Sequence, residues 1–144
     1  MRIRHLESIF GRFACLLAVV ALGGCGGSGP ERFEVRGTVH YAGKPVEVGT
    51  IALVPVESTA GPLSGANLEG GNFHIPRDGG PIAGRYRVEI SALEKTGKKR
   101  TNMGGESFDE RINVLPPKYH GPKSELTLDI PATQPSALVF DLKP

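Results

Sequence analysis

The chain has 144 residues, with 17 Lys and Arg against 15 Asp and Glu, 39% hydrophobic and 6% aromatic residues, 20 Gly, 12 Pro, two Cys and no Trp. That length supports a single domain. The near-balanced charge and the few rings argue against nucleic acid as a partner, because a binder needs a basic footprint and aromatic platforms for bases.

The first segment has the layout of a secretory signal peptide: Arg2, Arg4, His5 and Arg12 precede an apolar run from Phe13 to Leu22, which then meets Gly23, Gly24 and Cys25. As a helix the ten apolar residues rise about 15 Å, half of a hydrocarbon core of about 30 Å, so the sequence predicts a cleaved signal helix rather than a permanent span.

Leu22-Gly23-Gly24-Cys25 resembles the lipobox of bacterial lipoproteins. The resemblance implies that the Cys25 thiol takes a diacylglyceryl group, that the chain is cut between Gly24 and Cys25, and that the new amino terminus is acylated, with palmitate a typical chain. Residues 1–24 then form the lipoprotein signal peptide. Loss of Arg2, Arg4, Arg12 and Glu7 leaves 120 residues with 14 basic and 14 acidic side chains, so attraction to anionic lipid is not the anchor. Acyl chains contribute about 0.8 kcal/mol per buried CH₂, and a diacylated Cys supplies by itself the two chains that stable attachment needs. Cys15 leaves with the leader and Cys25 carries lipid, which precludes a disulfide within the mature domain. Gly26 stands where an Asp would resemble the inner-membrane retention signal of enteric bacteria. The expected location is therefore the cell outer membrane, lipid-anchored on its periplasmic or surface face.

Residues 25–32 read as a Gly/Ser tether with a reach of about 15 Å, and the folded domain is expected over 33–144. Phe33, Val35, Gly37, Val39 and Tyr41 alternate with polar residues as in a half-buried strand. Ala42-Gly43-Lys44-Pro45 reads as a turn into a β-branched run from Val46 to Val54, giving a first hairpin. Ala66-Asn67-Leu68 and Phe73-His74-Ile75 flank Glu69-Gly70-Gly71-Asn72, a second hairpin signal. Tyr86, Val88, Ile90 and Ala92 face one way and Arg85, Arg87, Glu89 and Ser91 the other. Residues 94–114 are polar and poorly periodic and read as a long mobile loop. Pro116 and Pro117 hold the following stretch extended. Leu126, Leu128 and Ile130, then Leu138, Phe140 and Leu142, complete about seven strands, which predicts an all-β fold, an antiparallel Greek-key β-sandwich.

Val35-Arg-Gly-Thr-Val39, Gly43-Lys-Pro45, Gly49-Thr-Ile-Ala-Leu-Val-Pro55, Phe73-His-Ile75 and Gly84-Arg-Tyr-Arg-Val88 resemble the carboxypeptidase regulatory-like domain, of transthyretin-like (prealbumin-like) fold. With Leu115-Pro-Pro-Lys-Tyr119 the chain is similar to small predicted lipoproteins of planctomycete bacteria. The resemblance implies the fold and hardly an activity, because its motifs serve turns and core.

Candidate chemistry is sparse. His40, His74 and His120 are donors suited to Zn or Cu, but two of them fall on outward strand registers and no Cys or close carboxylate pair completes a set, so no metal or other cofactor is expected. Ser58, Thr59, Ser64 and Ser107 lack a nucleophile motif. Transthyretin-related hydroxyisourate hydrolases end in a Tyr-Arg-Gly-Ser stretch, whereas this chain ends Phe140-Asp-Leu-Lys-Pro144. An isopeptide bond of adhesin type needs Lys and acid in a dry core, and the charges here fall on outward registers. Lys98, Lys99 and Arg100 remain as a candidate contact for an envelope partner, an acidic surface polymer or a phosphorylated protein, their field reduced by Glu94, Glu106, Asp109 and Glu110. Two functions follow as expectations. The first is a non-catalytic, lipid-anchored envelope module that binds or spaces another component. The second is a small periplasmic hydrolase or carrier of transthyretin-related type, with 94–114 as its lid.

Overall fold

The computed structural model describes residues 29–56 and 58–144. The signal peptide, the cleavage point at Gly24 and Cys25, the lipid attachment at Cys25 and the first part of the tether lie outside the described residues.

The fold is all-β. Its strands are β1 (Val35–Tyr41), β2 (Lys44–Pro45), β3 (Val48–Pro55), β4 (Ser64–Glu69), β5 (Asn72–Ile75), β6 (Gly84–Thr101), β7 (Ser107–Asn113), β8 (Thr127–Ile130) and β9 (Leu138–Leu142). Hydrogen bonding links β2-β1-β5-β4-β3-β6-β7, with β9 on the other side of β1 and β8 on β6. Between β4 and β5 the ladder is a single pair, Glu69 with Asn72. The ladder therefore folds over there into two layers, one built on β9-β1-β5 and the other on β4-β3-β6 with β8 and β7. Val35, Val39, Phe73 and Ile75 from the first layer meet Ile51, Leu53, Leu68, Tyr86, Val88 and Ile90 from the second in one buried core. Alternation dictates which residues these are, since a strand buried on one face turns every second side chain inward. Leu126, Leu128 and Phe140, on the inward registers of the last strands, pack against that core half-buried.

Three features differ from the expectation. The first hairpin is only two residues deep: β1 pairs with Lys44 and Pro45, while β3 pairs with β4 and β6. The backbone explains the departure, because the Val46 and Glu47 carbonyls accept from the Gly71 and Gly70 N–H groups and the chain is drawn across to the second layer. Gly70 and Gly71 have φ of 56° and 81°, the paired left-handed geometry of a tight hairpin turn. Second, β9 runs parallel to β1, from Gly37 opposite Leu138 to Tyr41 opposite Leu142, in an otherwise antiparallel ladder. Third, residues 94–114 are not a loop. β6 continues straight through to Thr101, and β7 returns along it from Ser107 to Asn113.

Candidate functional site

Strand β6 changes character at Ala92. Up to that point it is held on one side by β3 and, near its start, on the other by β8. Beyond it, among the described residues, only β7 remains, so Leu93–Asn113 forms a two-stranded arm that leaves the sandwich. Both of its faces are wet, and that is why the sequence shows no period there. At the root, the Asn113 side-chain oxygen accepts from the Ala92 and Leu115 N–H groups, each at 3.1 Å, and fixes the angle at which the arm departs. At the tip, the Asn102 side-chain oxygen accepts from Gly104 and Glu106, and Gly105 has a φ of 81°.

Lys98, Lys99 and Arg100 lie on β6 within this arm. The register runs from Lys95 opposite Arg111 to Lys99 opposite Asp109, so Thr96, Gly97 and Lys98 bulge against the single residue Glu110. Glu110 organises the bulge: Arg100 Nε donates to its Oε1 at 2.7 Å and the Thr96 hydroxyl to its Oε2 at 2.9 Å. These two hydrogen bonds, the Arg100 one foremost, hold the Glu110 carboxyl below its usual range. Lys95 does the same to Asp109 across a 2.7 Å ion pair. The basic run is thereby divided. Arg100 is neutralised by Glu110, whereas the Lys98 and Lys99 ammonium groups make no ion pair among the described residues. Phe108 and Ile112, each about half exposed, and Met103, fully exposed at the tip, add apolar surface to the arm that no period in the sequence marks.

The histidines do not converge. His40 Nδ1 stands 3.6 Å from Asp141, beyond hydrogen-bond reach, and His74 Nε2 is 3.0 Å from Glu34, whose carboxyl is lowered first by its bond to Arg36 and then by His74. Among the described residues no group of three or more His, Cys, Asp or Glu side chains gathers as metal ligands do. Ser64 is buried at the start of β4, Thr59 accepts from the Arg85 N–H at 2.9 Å, and Ser107 is exposed on β7, so the hydroxyls are dispersed. A groove of about 460 Å³ opens beside the arm's root between Tyr41, Val46, Ala92, Glu94 and Val114, and a shallower one of about 670 Å³ runs past Arg36, Asn67 and His74. No helix among the described residues is long and apolar enough to cross a membrane.

Comparison with family models, with curated proteins and with solved structures gives no match.

Proposed function

We propose that this chain is a non-catalytic, lipid-anchored module of the cell envelope, a sandwich of carboxypeptidase regulatory-like (transthyretin-like) kind that binds or spaces another envelope component through its arm. The observation that carries this reading is the arm itself. Leu93–Asn113 projects from the core, exposes Met103, Phe108 and Ile112, and presents Lys98 and Lys99, which no carboxylate neutralises among the described residues. A two-stranded ribbon is marginal alone in water, so ordered residues placed there favour a binding role over a packing one. The sequence Leu22-Gly23-Gly24-Cys25 supports the anchor and an outer-membrane location. A mobile lid at 94–114 has no counterpart in a paired arm, which weighs against the hydrolase alternative.

Two variants test the reading in intact cells. Cys25→Ala is expected to leave an uncut or soluble product that no longer partitions into detergent. Replacing Lys98, Lys99 and Arg100 together by Ala is expected to remove a crosslinked envelope partner found with the parent chain. Unchanged partitioning defeats the anchor, and turnover by the purified domain with no crosslinked partner defeats the module.

A further inference from the structure

Among the described residues strand β7 is an edge, and its seven residues read as a mirror. Ser107-Phe108-Asp109-Glu110-Arg111-Ile112-Asn113 is polar, apolar, acidic, central, basic, apolar, polar. We propose that β7 is a self-association edge: two copies of this chain pair antiparallel through β7, about a two-fold axis at Glu110, and join their arms into one four-stranded sheet.

The backbone sets the parity. Val114 N–H bonds the Ala92 carbonyl, and the Glu106 carbonyl accepts from Asn102, both within the hairpin. Hydrogen-bonding direction alternates along an antiparallel strand, so even-numbered residues of β7 spend their backbone groups on β6. The N–H and C=O groups of Ser107, Asp109, Arg111 and Asn113 then face away. A second β7 must match odd residues with odd ones. Centred on Glu110, the match sets Asp109 against Arg111 of the other copy, Phe108 against Ile112 and Ser107 against Asn113, each of them twice by symmetry. Opposite charges and an aromatic beside a β-branched residue are the stabilising cross-strand pairs. The neighbouring registers lose these pairs: centring on Asp109 sets Ser107 against Arg111 and Phe108 against Glu110, and centring on Arg111 sets Asp109 against Asn113 and Glu110 against Ile112. The two Glu110 carboxylates meet at the axis, but each is already engaged by its own Arg100 and Thr96.

Charge on an edge strand ordinarily repels a second strand. Here both signs are present at mirror positions, so the same charges select a second copy in a single register. The contact is isologous, and it closes as a dimer instead of running on into a fibre. One strand pair is a small interface, so the dimer is concentration-dependent.

The test uses the full chain in detergent, followed by sedimentation equilibrium. Asp109→Arg or Arg111→Asp alone turns two attractive pairs into repulsive ones and is expected to weaken dimerisation about tenfold. The double variant restores both the pair across the axis and the attraction to Lys95 within the arm, and dimerisation is expected to return. The register is read by oxidising Glu110→Cys beside Met103→Cys, with the parent chain as background for Cys15 and Cys25. A disulfide-linked dimer in excess at position 110 is expected. A parent chain that stays monomeric, single swaps without effect, a double swap without rescue, or a tip-to-tip crosslink at position 103 each overturns the proposal. Where Glu110→Cys loosens the bulge and fails to crosslink, the swap series decides.

Discussion

The Tyr86 hydroxyl and the Ile82 backbone exchange hydrogen bonds in both directions: it accepts from the Ile82 N–H at 3.1 Å and donates to the Ile82 carbonyl at 3.2 Å. Tyr86 itself is fully buried at the start of β6. The ring fills the core while its polar end secures the loop that enters β6, in the segment where Ile82 also bridges to Arg32.

Tyr86→Phe keeps the ring and strands the two backbone groups of Ile82. The expected loss is about 1–2 kcal/mol, the cost of leaving part-buried polar groups unpaired. Chemical denaturation of a chain beginning at Gly29 measures it, and an unchanged midpoint shows that water replaces the hydroxyl.

Val88→Asp places an unpaired carboxylate at a fully buried position between Leu53 of β3 and Leu126, just ahead of β8. The cost of several kcal/mol compares with a total stability of about 5–15 kcal/mol, so the domain is expected to unfold. Loss of the cooperative thermal transition is the readout, and a native-like transition contradicts the placement of Val88.

Gly49 is opposite Ala92, where β3 begins its pairing with β6, and a Cβ there would run into the Ser91 carbonyl. Because that obstacle is backbone and cannot rotate aside, Gly49→Ala is expected to destabilise by about 1–3 kcal/mol, as overpacking does. At Ala42, by contrast, φ is 51° in an exposed turn before Gly43. Asn tolerates that left-handed geometry better than Ala, so Ala42→Asn is expected to raise stability by about 0.5–1 kcal/mol. Parallel thermal melts distinguish the two signs.

Acid should loosen the arm. Glu110 and Asp109 titrate below their ordinary values of about 4.5 and 3.8. A depressed carboxyl contributes stability that is fully present above its unfolded value and is lost as pH falls through the folded one. The arm's order is therefore expected to hold at neutral pH and to fade only below the usual carboxylate range. Carboxyl NMR titration of Glu110 should give a midpoint below 4.5 that Arg100→Ala moves upward while leaving Asp109 in place. A midpoint already at the ordinary value means that the Arg100 bond is not held in solution.

The core was legible wherever one face of a strand is dry. Val35 and Val39, Ile51 and Leu53, and Tyr86, Val88 and Ile90 all sit where alternation puts them. The arm was not, because a ribbon wet on both faces has no reason to alternate; Phe108 and Ile112 on one face and Asp109 and Arg111 on the other look like loop composition. The bulge at Thr96–Lys98 obscured it further by shifting the register in mid-strand. Of the candidate contact residues, the sequence could place Lys98, Lys99 and Arg100 on the surface, but not reveal that Glu110 takes Arg100 out of the group. The Gly70-Gly71 turn was readable because its chemistry is local. The destination of β3 was not, since it depends on carbonyls at Val46 and Glu47 being claimed from elsewhere in the chain.

Because β9 lies parallel on β1, Gly37 waits for Leu138 and Tyr41 for Leu142, with nearly the whole described chain between them. During synthesis the earliest strand emerges first and finds its neighbour on that side last. Until then its edge stays open and the layer holding Val35 and Val39 lacks its cover. Closing so distant a pair is slow, since loop entropy must be met before the contact returns anything. The sandwich thus cannot close until β9 has been made, however early the strands before it are complete.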